Sequence, residues 1–355
     1  MNVLVAMSGG VDSSVAAKIL TDAGCSCIGC TMKLYGNGEL GLSNMHTCCS
    51  IDDTEDARSV AYQLKMRYYV FNFSDGFREK VMLPFADGYM HGLTPNPCID
   101  CNRYMKFEKL FERARILGCD CIATGHYARI VRSGDRYVLK KALDETKDQS
   151  YVLYFMTQWQ LAHTLFPLGA MRKSETRAIA ASCGFVNALK PDSQDICFAP
   201  DGDYAAAIER CTGRSPEPGC FVDTGGNILG SHKGIIHYTV GQRRGLGIAA
   251  GKRKYVCRVC PEDNTVVLGD SCDLRGRDAE ADAVNWISGE APDSAFRCKV
   301  RIRYRHQEQW AEVTPRDGGV HIRFDEPQRA ITPGQAAVMY DGDTVLGGGV
   351  ITAAE

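Results

Sequence analysis

The sequence lacks long apolar runs, an excess of charge of one sign, and internal repeats. No stretch of about 18 apolar residues occurs, and the start MNVLVAMSGG has no basic leader ahead of an apolar run and a cleavage site. These absences predict a soluble, cytoplasmic protein with no membrane segment. The formal net charge of -2 excludes a bulk polycation, so any nucleic acid must be bound by local basic patches. A chain of 355 residues is long enough for two or three domains.

Cysteine is abundant, but its distribution excludes a secreted disulfide scaffold. The number of cysteines, 17, is odd, so they cannot all form pairs within the chain, and they are scattered through a long chain of enzyme-like composition. In a reducing cytoplasm most of them are predicted to be small buried side chains. Any cysteine chemistry must therefore be assigned residue by residue.

The first 200 residues alternate apolar runs with amphipathic patterns. NVLVAM, CIGCTMKLY and YYVFNF are predicted strands, whereas DDTEDARSVAYQLKM and KFEKLFERARIL are predicted helices. This alternation predicts an α/β domain with a doubly wound parallel sheet over residues 1–200. Pro- and Gly-rich segments and short alternating strands follow. They predict a small, mostly β middle domain at 201–272 and a C-terminal β-barrel or sandwich at 273–355.

The segment MSGGVDSS stands between the first predicted strand and the first predicted helix. Gly9 and Gly10 permit a tight turn with exposed N–H groups, and the helix N-terminus adds partial positive charge. The loop therefore suits a phosphate, although it lacks the lysine and spacing of GxxxxGK[ST]. Met32 and Gly125 end later strands and are predicted to reach the same sheet edge.

The segment NPCIDCN places Cys98 and Cys101 in a CxxC pair, whose spacing has three possible meanings. The pair could be half of a zinc site, a redox dithiol, or one reactive cysteine beside an inert neighbour. Zinc would need more ligands, for which Cys257 with Cys260 and the group at 25–30 are candidates, but both lie in other elements. A redox dithiol works best on a helix N-terminus, whereas this pair follows an extended, proline-containing approach. The residues alone leave all three open.

Two clusters of cations are candidate RNA contacts. In FRCKVRIRYR the cations recur with period two, which predicts a positive stripe on one strand face formed by Lys299, Arg301, Arg303 and Arg305. A second cluster lies in Gly-rich loops and comprises Arg243, Arg244, Lys252, Arg253 and Lys254. A solvated face is the competing explanation for such a stripe. Together the clusters suit a structured RNA better than a small metabolite.

Several motifs carry a family resemblance over essentially the whole chain. SGGxDS after a strand resembles the PP-loop of the N-type ATP pyrophosphatases, which have an adenine nucleotide alpha hydrolase-like fold. The blocks GLTPNPCIDCNRYMKF, ATGHYAR, KPDSQDICFAPDGDY and YTVGQRRGLG add a more specific likeness. With them the chain resembles the tRNA-specific 2-thiouridylases, which replace the 2-oxygen of the wobble uridine with sulfur.

The resemblance implies a PP-loop domain, a small middle domain and a C-terminal β-barrel. It implies ATP as co-substrate, with Mg²⁺ held partly by Asp12 and no permanent metal. The implied ATP-binding residues are Ala6, Met7, Ser8, Gly9, Gly10, Val11, Asp12, Ser13, Met32 and Gly125.

The resemblance also assigns roles to the cysteines. Cys101 matches the nucleophile, Cys197 in DSQDICF matches the persulfide carrier, and the two would form a transient disulfide. An alternative order lets Cys101 activate an incoming hydrosulfide. The implied partners are tRNA and a persulfide-donating sulfur carrier or cysteine desulfurase. The implied tRNA contacts are Asn96, Pro97, Cys98, His126, Asp148, Gln149, Ser150, Tyr304, Arg305 and Gln335.

Four rival functions stay open beside this one. They are an amide-forming PP-loop ligase, a different tRNA thiolase, a metal-dependent sulfur transferase, and a non-catalytic adenine-nucleotide-binding module. The ligase would not need two reactive cysteines or basic clusters, and the binding module would leave the cysteines without a purpose.

Overall fold

The computed structural model describes residues 1–36, 51–192, 196–199, 202–248 and 252–355. Outside these ranges lie Cys48 and Cys49, residues 193–195 of the motif KPDSQDICFAPDGDY, and the predicted domain boundary at 200 and 201. The strands are β1 (Asn2–Ala6), β2 (Ser26–Lys33), β3 (Arg67–Asn72), β4 (Cys121–Ala123), β5 (Ala128–Ser133), β6 (Arg136–Lys141), β7 (Thr164–Leu165), β8 (Gly219–Asp223), β9 (Ile228–His232), β10 (Tyr255–Cys260), β11 (Thr265–Gly269), β12 (Arg275–Trp286), β13 (Phe296–Arg301), β14 (Gln309–Arg316), β15 (Gly319–Arg329), β16 (Ala336–Asp341) and β17 (Thr344–Ala354).

The α-helices are α1 (Val11–Asp22), α2 (Ile51–Gln63), α3 (Ser74–Phe77), α4 (Leu83–Met90), α5 (Pro97–Asp100), α6 (Leu110–Ile116), α7 (Gln158–Ala162), α8 (Lys173–Ser182) and α9 (Tyr204–Thr212). A π-helical segment, Arg78–Met82, joins α3 to α4, and another, Cys101–Lys109, joins α5 to α6. Short 3₁₀ turns occur at Glu145–Lys147, Ser150–Leu153, Ile235–His237 and Cys272–Leu274. Within the described residues, no helix combines the length and apolarity needed to span a membrane.

A five-stranded sheet with strand order β3-β2-β1-β4-β7 forms the core of the N-terminal region, and all its pairings are parallel. Alternate residues of β1 face opposite layers. Val3 and Val5 pack with α1, α2 and α8, whereas Leu4 and Ala6 pack with α6. Both faces of the central strand β1 are covered, which is why β1 is apolar after its first residue. The predicted doubly wound sheet is confirmed.

The strand order reverses direction between β1 and β4. From β1 the chain adds β2 and β3 on one side, and β4 and β7 lie on the other. Open α/β sheets bind ligands in the crevice that such a reversal leaves at the carboxyl ends of the strands. The loop after β1 and Gly125 after β4 both lie at this reversal.

Two β structures follow the N-terminal region. Strands β8 to β11 form a sheet of order β10-β11-β8-β9, with its own core around Phe221, Val256 and Leu268. The last six strands form a closed barrel, because β12 pairs with both β15 and β17. The predicted C-terminal barrel is confirmed. The hairpin of β5 and β6 extends the barrel sheet through the pairing of Lys140 with Thr344, a long-range contact that the sequence analysis missed.

Candidate active site

The loop between β1 and α1 is tied together by its own serines. The Ser13 hydroxyl accepts a hydrogen bond from the Ser8 N–H (3.2 Å) and donates one to the Gly10 carbonyl (3.0 Å). Ser14 donates a second bond to the same carbonyl (3.1 Å). Within the described part of the chain, no side chain caps the start of α1. This helix end can therefore accept an anion.

Two glycines permit the close packing around this loop. Gly9 has a φ of +76°, and a Cβ there would lie 2.3 Å from the Asp53 carbonyl oxygen. A Cβ on Gly125 would lie 2.7 Å from the Ser13 nitrogen. The structure thus brings Gly125 against the loop, as its position after β4 predicts.

An ammonium held between two carboxylates lies beside the loop. Lys173 Nζ is 2.7 and 2.8 Å from the two Asp12 oxygens and 2.7 Å from Asp192 Oδ1. Burial alone would raise the pKa of Asp192, but hydrogen bonds from Lys173 and Lys147 outweigh it and lower the pKa to about 2. The Tyr127 hydroxyl also donates to Asp12 (2.9 Å). These contacts fix the Asp12 carboxylate at the mouth of the loop.

The segment after α8 runs along the same loop. The Asn187 amide donates to the Gly9 carbonyl (2.8 Å) and to Ser14 Oγ (2.9 Å), and this side chain is 2% exposed. Lys190 contacts Asp53 (2.5 Å) and Asp56 (2.7 Å) at the start of α2. The segment therefore links the loop, α2 and, through Asp192, the pair of Lys173 and Asp12.

Cys101 and Cys197 border the same apolar cluster. The buried part of this cluster, called here the aromatic cluster, includes Tyr35, Phe77, Phe85, Tyr89 and Phe198. Both cysteines are half-buried and pack against it. Cys101 begins the π-helical segment, and the Cys197 carbonyl accepts a hydrogen bond from the Tyr35 hydroxyl (2.9 Å). Two cysteines far apart in sequence thus pack against one cluster.

Cys98 is more exposed than Cys101. It is exposed, and its thiol lies within electrostatic range of Tyr304 on the barrel side. Cys257 and Cys260 lie in β10 of the middle sheet. In the described ranges, we find no group of three or more His, Cys, Asp or Glu residues arranged to hold a metal ion. The absence of a permanent metal stays a prediction.

The loop at 94–98 is docked on the barrel. The Thr94 carbonyl accepts from the Gln335 amide (2.6 Å), and its N–H donates to the Pro333 carbonyl (2.9 Å). The Asn96 side chain accepts from the Cys98 N–H (3.1 Å). The structure therefore brings Asn96, Pro97, Cys98 and Gln335 into one region, close to Tyr304.

Other predicted tRNA contacts point into the protein. Asp148 is 7% exposed, accepts from Ser150 Oγ (2.8 Å) and faces Arg301 (3.4 Å). Gln149 exchanges hydrogen bonds with the Tyr127 backbone. His126 is buried beside Phe107 and Phe166, and burial holds its pKa well below the usual range. The exposed members of the set are Cys98, Tyr304 and Arg305.

The predicted four-cation stripe is wrong. Strand β13 ends at Arg301, and the chain turns over the following residues. Arg301 pairs with Asp148, and Arg303 donates to the Val240 carbonyl (2.9 Å) and to Thr332. Arg301 and Arg303 therefore contact other parts of the protein and do not form an exposed stripe. The turn after β13 directs Arg303 inward. In the second basic cluster, Arg243, Lys252, Arg253 and Lys254 line a cavity of about 410 Å³.

Comparisons with known proteins agree along the whole chain. Family models match residues 1–201 (tRNA methyl transferase HUP domain), 208–270 (tRNA methyl transferase PRC-barrel domain) and 277–351 (aminomethyltransferase beta-barrel domain). The tRNA-specific 2-thiouridylase MnmA of Acetivibrio thermocellus is 51% identical over 98% of both chains. That of Clostridioides difficile (strain 630) is 48% identical over 98% of this chain and 97% of its own.

The chain belongs to the tRNA-specific 2-thiouridylase family. Among solved structures, a 4-thiouridine synthetase–RNA complex with bound ATP shares 18% identity and a TM-score of 0.39. That likeness covers 56% of this chain and 45% of the other.

In this thiouridylase-family chain, sequence reasoning missed several residues of the site. Lys173 and Tyr127 carried no motif signal of their own, although Tyr127 follows the quoted His126. Asp192 stands in the quoted motif that carries Cys197 but received no role. Asp100 beside Cys101 also received no role in the site, and burial raises its pKa to about 6 against the opposing effect of Arg103. A lysine between two distant aspartates leaves no local pattern.

Proposed function

We propose that this chain uses ATP to replace the 2-oxygen of the wobble uridine of tRNA with sulfur. The observations that carry the proposal are an uncapped, Gly-rich helix start after β1 and the packing of both Cys101 and Cys197 against one cluster. Membership in a family whose relatives are named tRNA-specific 2-thiouridylases supplies the substrate class. A ligase or a nucleotide-binding module would leave the two cysteines unused.

The first proposed step is adenylation of the uracil. The 2-oxygen attacks the α-phosphorus of ATP, pyrophosphate leaves, and the oxygen becomes part of a good leaving group. The loop from Ala6 to Ser13 binds the phosphates through its N–H groups, with Met32 and Gly125 beside the nucleoside. Lys173 lies where a second cation can face them.

The donor set at the loop fits Mg²⁺. Asp12 offers a carboxylate that is partly exposed, and Mg²⁺ prefers one or two carboxylates together with substrate phosphates. Bound with ATP, the ion would neutralise phosphate charge. Asp12 would hold it, while Tyr127 and Lys173 orient that carboxylate.

The second proposed step is sulfur transfer. The outer sulfur of a Cys197 persulfide attacks the activated carbon, and AMP leaves with the former 2-oxygen. The Cys101 thiolate then attacks Cys197 Sγ, the S–S bond breaks, and its electron pair stays on the sulfur bound to the base. The product is thiouridine plus a Cys101–Cys197 disulfide, which a thiol reductant resets. In the alternative order, Cys101 activates a hydrosulfide.

We also propose how the chain divides this work. Residues 1–200 carry the chemistry and 201–272 form the small domain. Residues 273–355 position tRNA, with Tyr304, Arg305 and Gln335 near the base-binding segment 96–98. Buried His126, Asp148 and Ser150 would act from beneath that surface, together with Gln149. A persulfide-donating sulfur carrier or a cysteine desulfurase supplies the sulfur.

The test is reconstitution with ATP, Mg²⁺, a persulfide donor and unmodified tRNA, with thiouridine measured by mass spectrometry of nucleosides. Cys101→Ser and Cys197→Ser should each abolish thiouridine, because each removes one sulfur of the couple. Cys98→Ser should keep most of the activity, as should Cys272→Ser, a control at another exposed cysteine. Complete loss with Cys98→Ser, together with stoichiometric zinc in the protein, would favour a metal site instead.

A second candidate function is tRNA methylation, because two of the matching family models are described as tRNA methyl transferase domains. The same assay separates the two. Methyl transfer would require S-adenosylmethionine and proceed without ATP or the persulfide donor, and the product would gain a methyl group rather than exchange oxygen for sulfur.

A further inference from the structure

The turn that carries Cys197 is attached to the protein at two neighbouring points. Its carbonyl oxygen accepts a hydrogen bond from the Tyr35 hydroxyl at 2.9 Å, across 162 positions of sequence. The next residue, Phe198, is 1% exposed and makes edge contacts with Phe77 (5.8 Å) and Phe85 (5.3 Å) between ring centroids. The thiol between these attachments stays half-buried. The Cys197 backbone is thus anchored at its own carbonyl and at the next side chain.

Tyr35 is itself held by burial in the aromatic cluster. It follows the end of β2 by two residues, at the carboxyl edge where the loop after β1 also lies. Its side chain is 2% exposed, and its ring lies 6.0 Å from that of Phe77. The hydroxyl therefore reaches the Cys197 turn from a buried ring that packs beside Phe77 just after β2.

Cys101 packs against the same aromatic cluster, although it is distant from Cys197 in the sequence. It begins the π-helical segment Cys101–Lys109, whose Met105 is a buried member of the cluster. The relative position of the two sulfurs thus depends on how the backbone at Cys101 and the backbone at Cys197 pack against the aromatic cluster. Attack of one sulfur on another is sensitive to such seating, because a misplacement of about 1 Å can slow a positioned reaction roughly 100-fold.

We propose that the Tyr35 hydroxyl is a positioning group that holds the Cys197 backbone so that the sulfur on Cys197 meets the activated base and then Cys101. The proposal rests on the sulfur-transfer function proposed above and adds a residue to it. Tyr35 takes no part in adenylation, so its loss should slow sulfur transfer without slowing pyrophosphate release.

The experiment is a single-turnover assay with enzyme in excess over tRNA. The full-length protein is loaded with persulfide, its loading on Cys197 is measured by alkylation and peptide mass spectrometry, and ATP with Mg²⁺ starts the reaction. Pyrophosphate and thiouridine are followed in the same quenched samples. For Tyr35→Phe we expect pyrophosphate release within about twofold of wild type and thiouridine formation slower by at least about tenfold. The Cys101–Cys197 disulfide should form more slowly in parallel.

Tyr89→Phe is the matched control. Tyr89 is 4% exposed in the same cluster, its ring centroid lies 4.9 Å from that of Phe85, and its hydroxyl shares a hydrogen bond with Thr239. Tyr89→Phe removes a buried tyrosine hydroxyl without loosening the Cys197 turn. Pyrophosphate release and thiouridine formation should therefore both stay within about twofold of wild type. Phe198→Leu loosens the second attachment and should repeat the split seen with Tyr35→Phe. If Tyr35→Phe lowers the melting temperature, the result with Phe198→Leu decides whether the position of the Cys197 turn controls sulfur transfer.

Two results would overturn the proposal: thiouridine formation in Tyr35→Phe and Phe198→Leu as fast as in Tyr89→Phe, or equal slowing of both steps. Failure of the underlying function looks different. In that case wild type itself would form no thiouridine, or Cys101→Ser and Cys197→Ser would remain active.

Discussion

A single residue, Lys173, joins the two halves of the candidate site. Its ammonium lies between Asp12, at the phosphate loop, and Asp192, five positions before Cys197 by subtraction of their numbers. Only 11% of its side chain is exposed, whereas the Asp12 and Asp192 side chains are 31% and 27% exposed, so the ammonium depends on these two partners in place of water. Removing one partner of a buried charged group costs more than the pair itself contributes.

Lys173→Met should therefore weaken ATP binding strongly. The substitution takes the ammonium away from Asp12, while Asp192 keeps Lys147 (2.9 Å) and Arg177 (3.0 Å), and it removes a cation from the phosphate site. Loss of a charge-assisted contact predicts a roughly 10- to 100-fold higher Kd for ATP, measured by calorimetry with the full chain. Lys173→Arg should recover part of the affinity.

Lys18→Met is the control for this prediction. Lys18 pairs with Asp22 at the far end of α1, where the two side chains are 28% and 60% exposed, and such pairs contribute little. Its ATP affinity should match that of wild type. Unchanged affinity in Lys173→Met would remove Lys173 from the site.

At the scale of elements, local patterns predicted some features well and missed others. The unit of β1, loop and α1 was predictable because an apolar run, two glycines and a helical pattern follow one another directly. The helix through Cys101 was predicted to begin at residue 106, whereas α5 begins at Pro97. A π-helical segment breaks the 3.6-residue period that the prediction used, so its first turns showed no helical pattern.

The loop after β1 should depend on the close approach that Gly9 permits. Gly9 and Gly24 have similar φ values, +76° and +79°, but only Gly9 faces backbone atoms within 4 Å. Gly24→Ala should therefore cost only the conformational strain, about 1 kcal/mol of unfolding free energy. Gly9→Ala adds a contact with the Asp53 carbonyl, so it should cost clearly more and also abolish ATP binding.

Urea denaturation and ATP titration of the two alanine variants check this expectation. Equal losses of stability, with ATP binding retained in both variants, would mean that the loop can move away from α2 without consequence.

At the scale of the whole molecule, long-range contacts were the part that the sequence could not predict. The spacing of Cys98 and Cys101 suggested a pair, yet the structure places Cys101 on the cluster shared with Cys197 and Cys98 on the exposed barrel side. The stripe of cations failed for the same reason, because Asp148 lies 153 positions from Arg301. Periodicity reports which face of an element is apolar, but not which distant residue covers it.

The barrel should be needed for the N-terminal region to fold. One core cluster contains Leu4, Tyr151 and Tyr154 from the first half of the chain together with Val338 and Tyr340 from the barrel. Removing the barrel would expose these side chains and leave the hairpin of β5 and β6 without its partner strand. Each large apolar side chain so exposed loses about 1.5–3 kcal/mol of burial energy, and a domain has only about 5–15 kcal/mol in total.

A fragment of residues 1–272 should therefore lack cooperative melting and near-ultraviolet circular dichroism, whereas the full chain should melt its sheet and barrel together in calorimetry. Asp343→Ala tests the surface alone, since it removes only the ion pairs to Arg129 (2.8 Å) and Lys140 (3.0 Å). It should cost no more than about 1 kcal/mol, because Asp343 is 44% exposed. If the fragment melted cooperatively at the temperature of the full chain, the shared core would not be what joins the two regions.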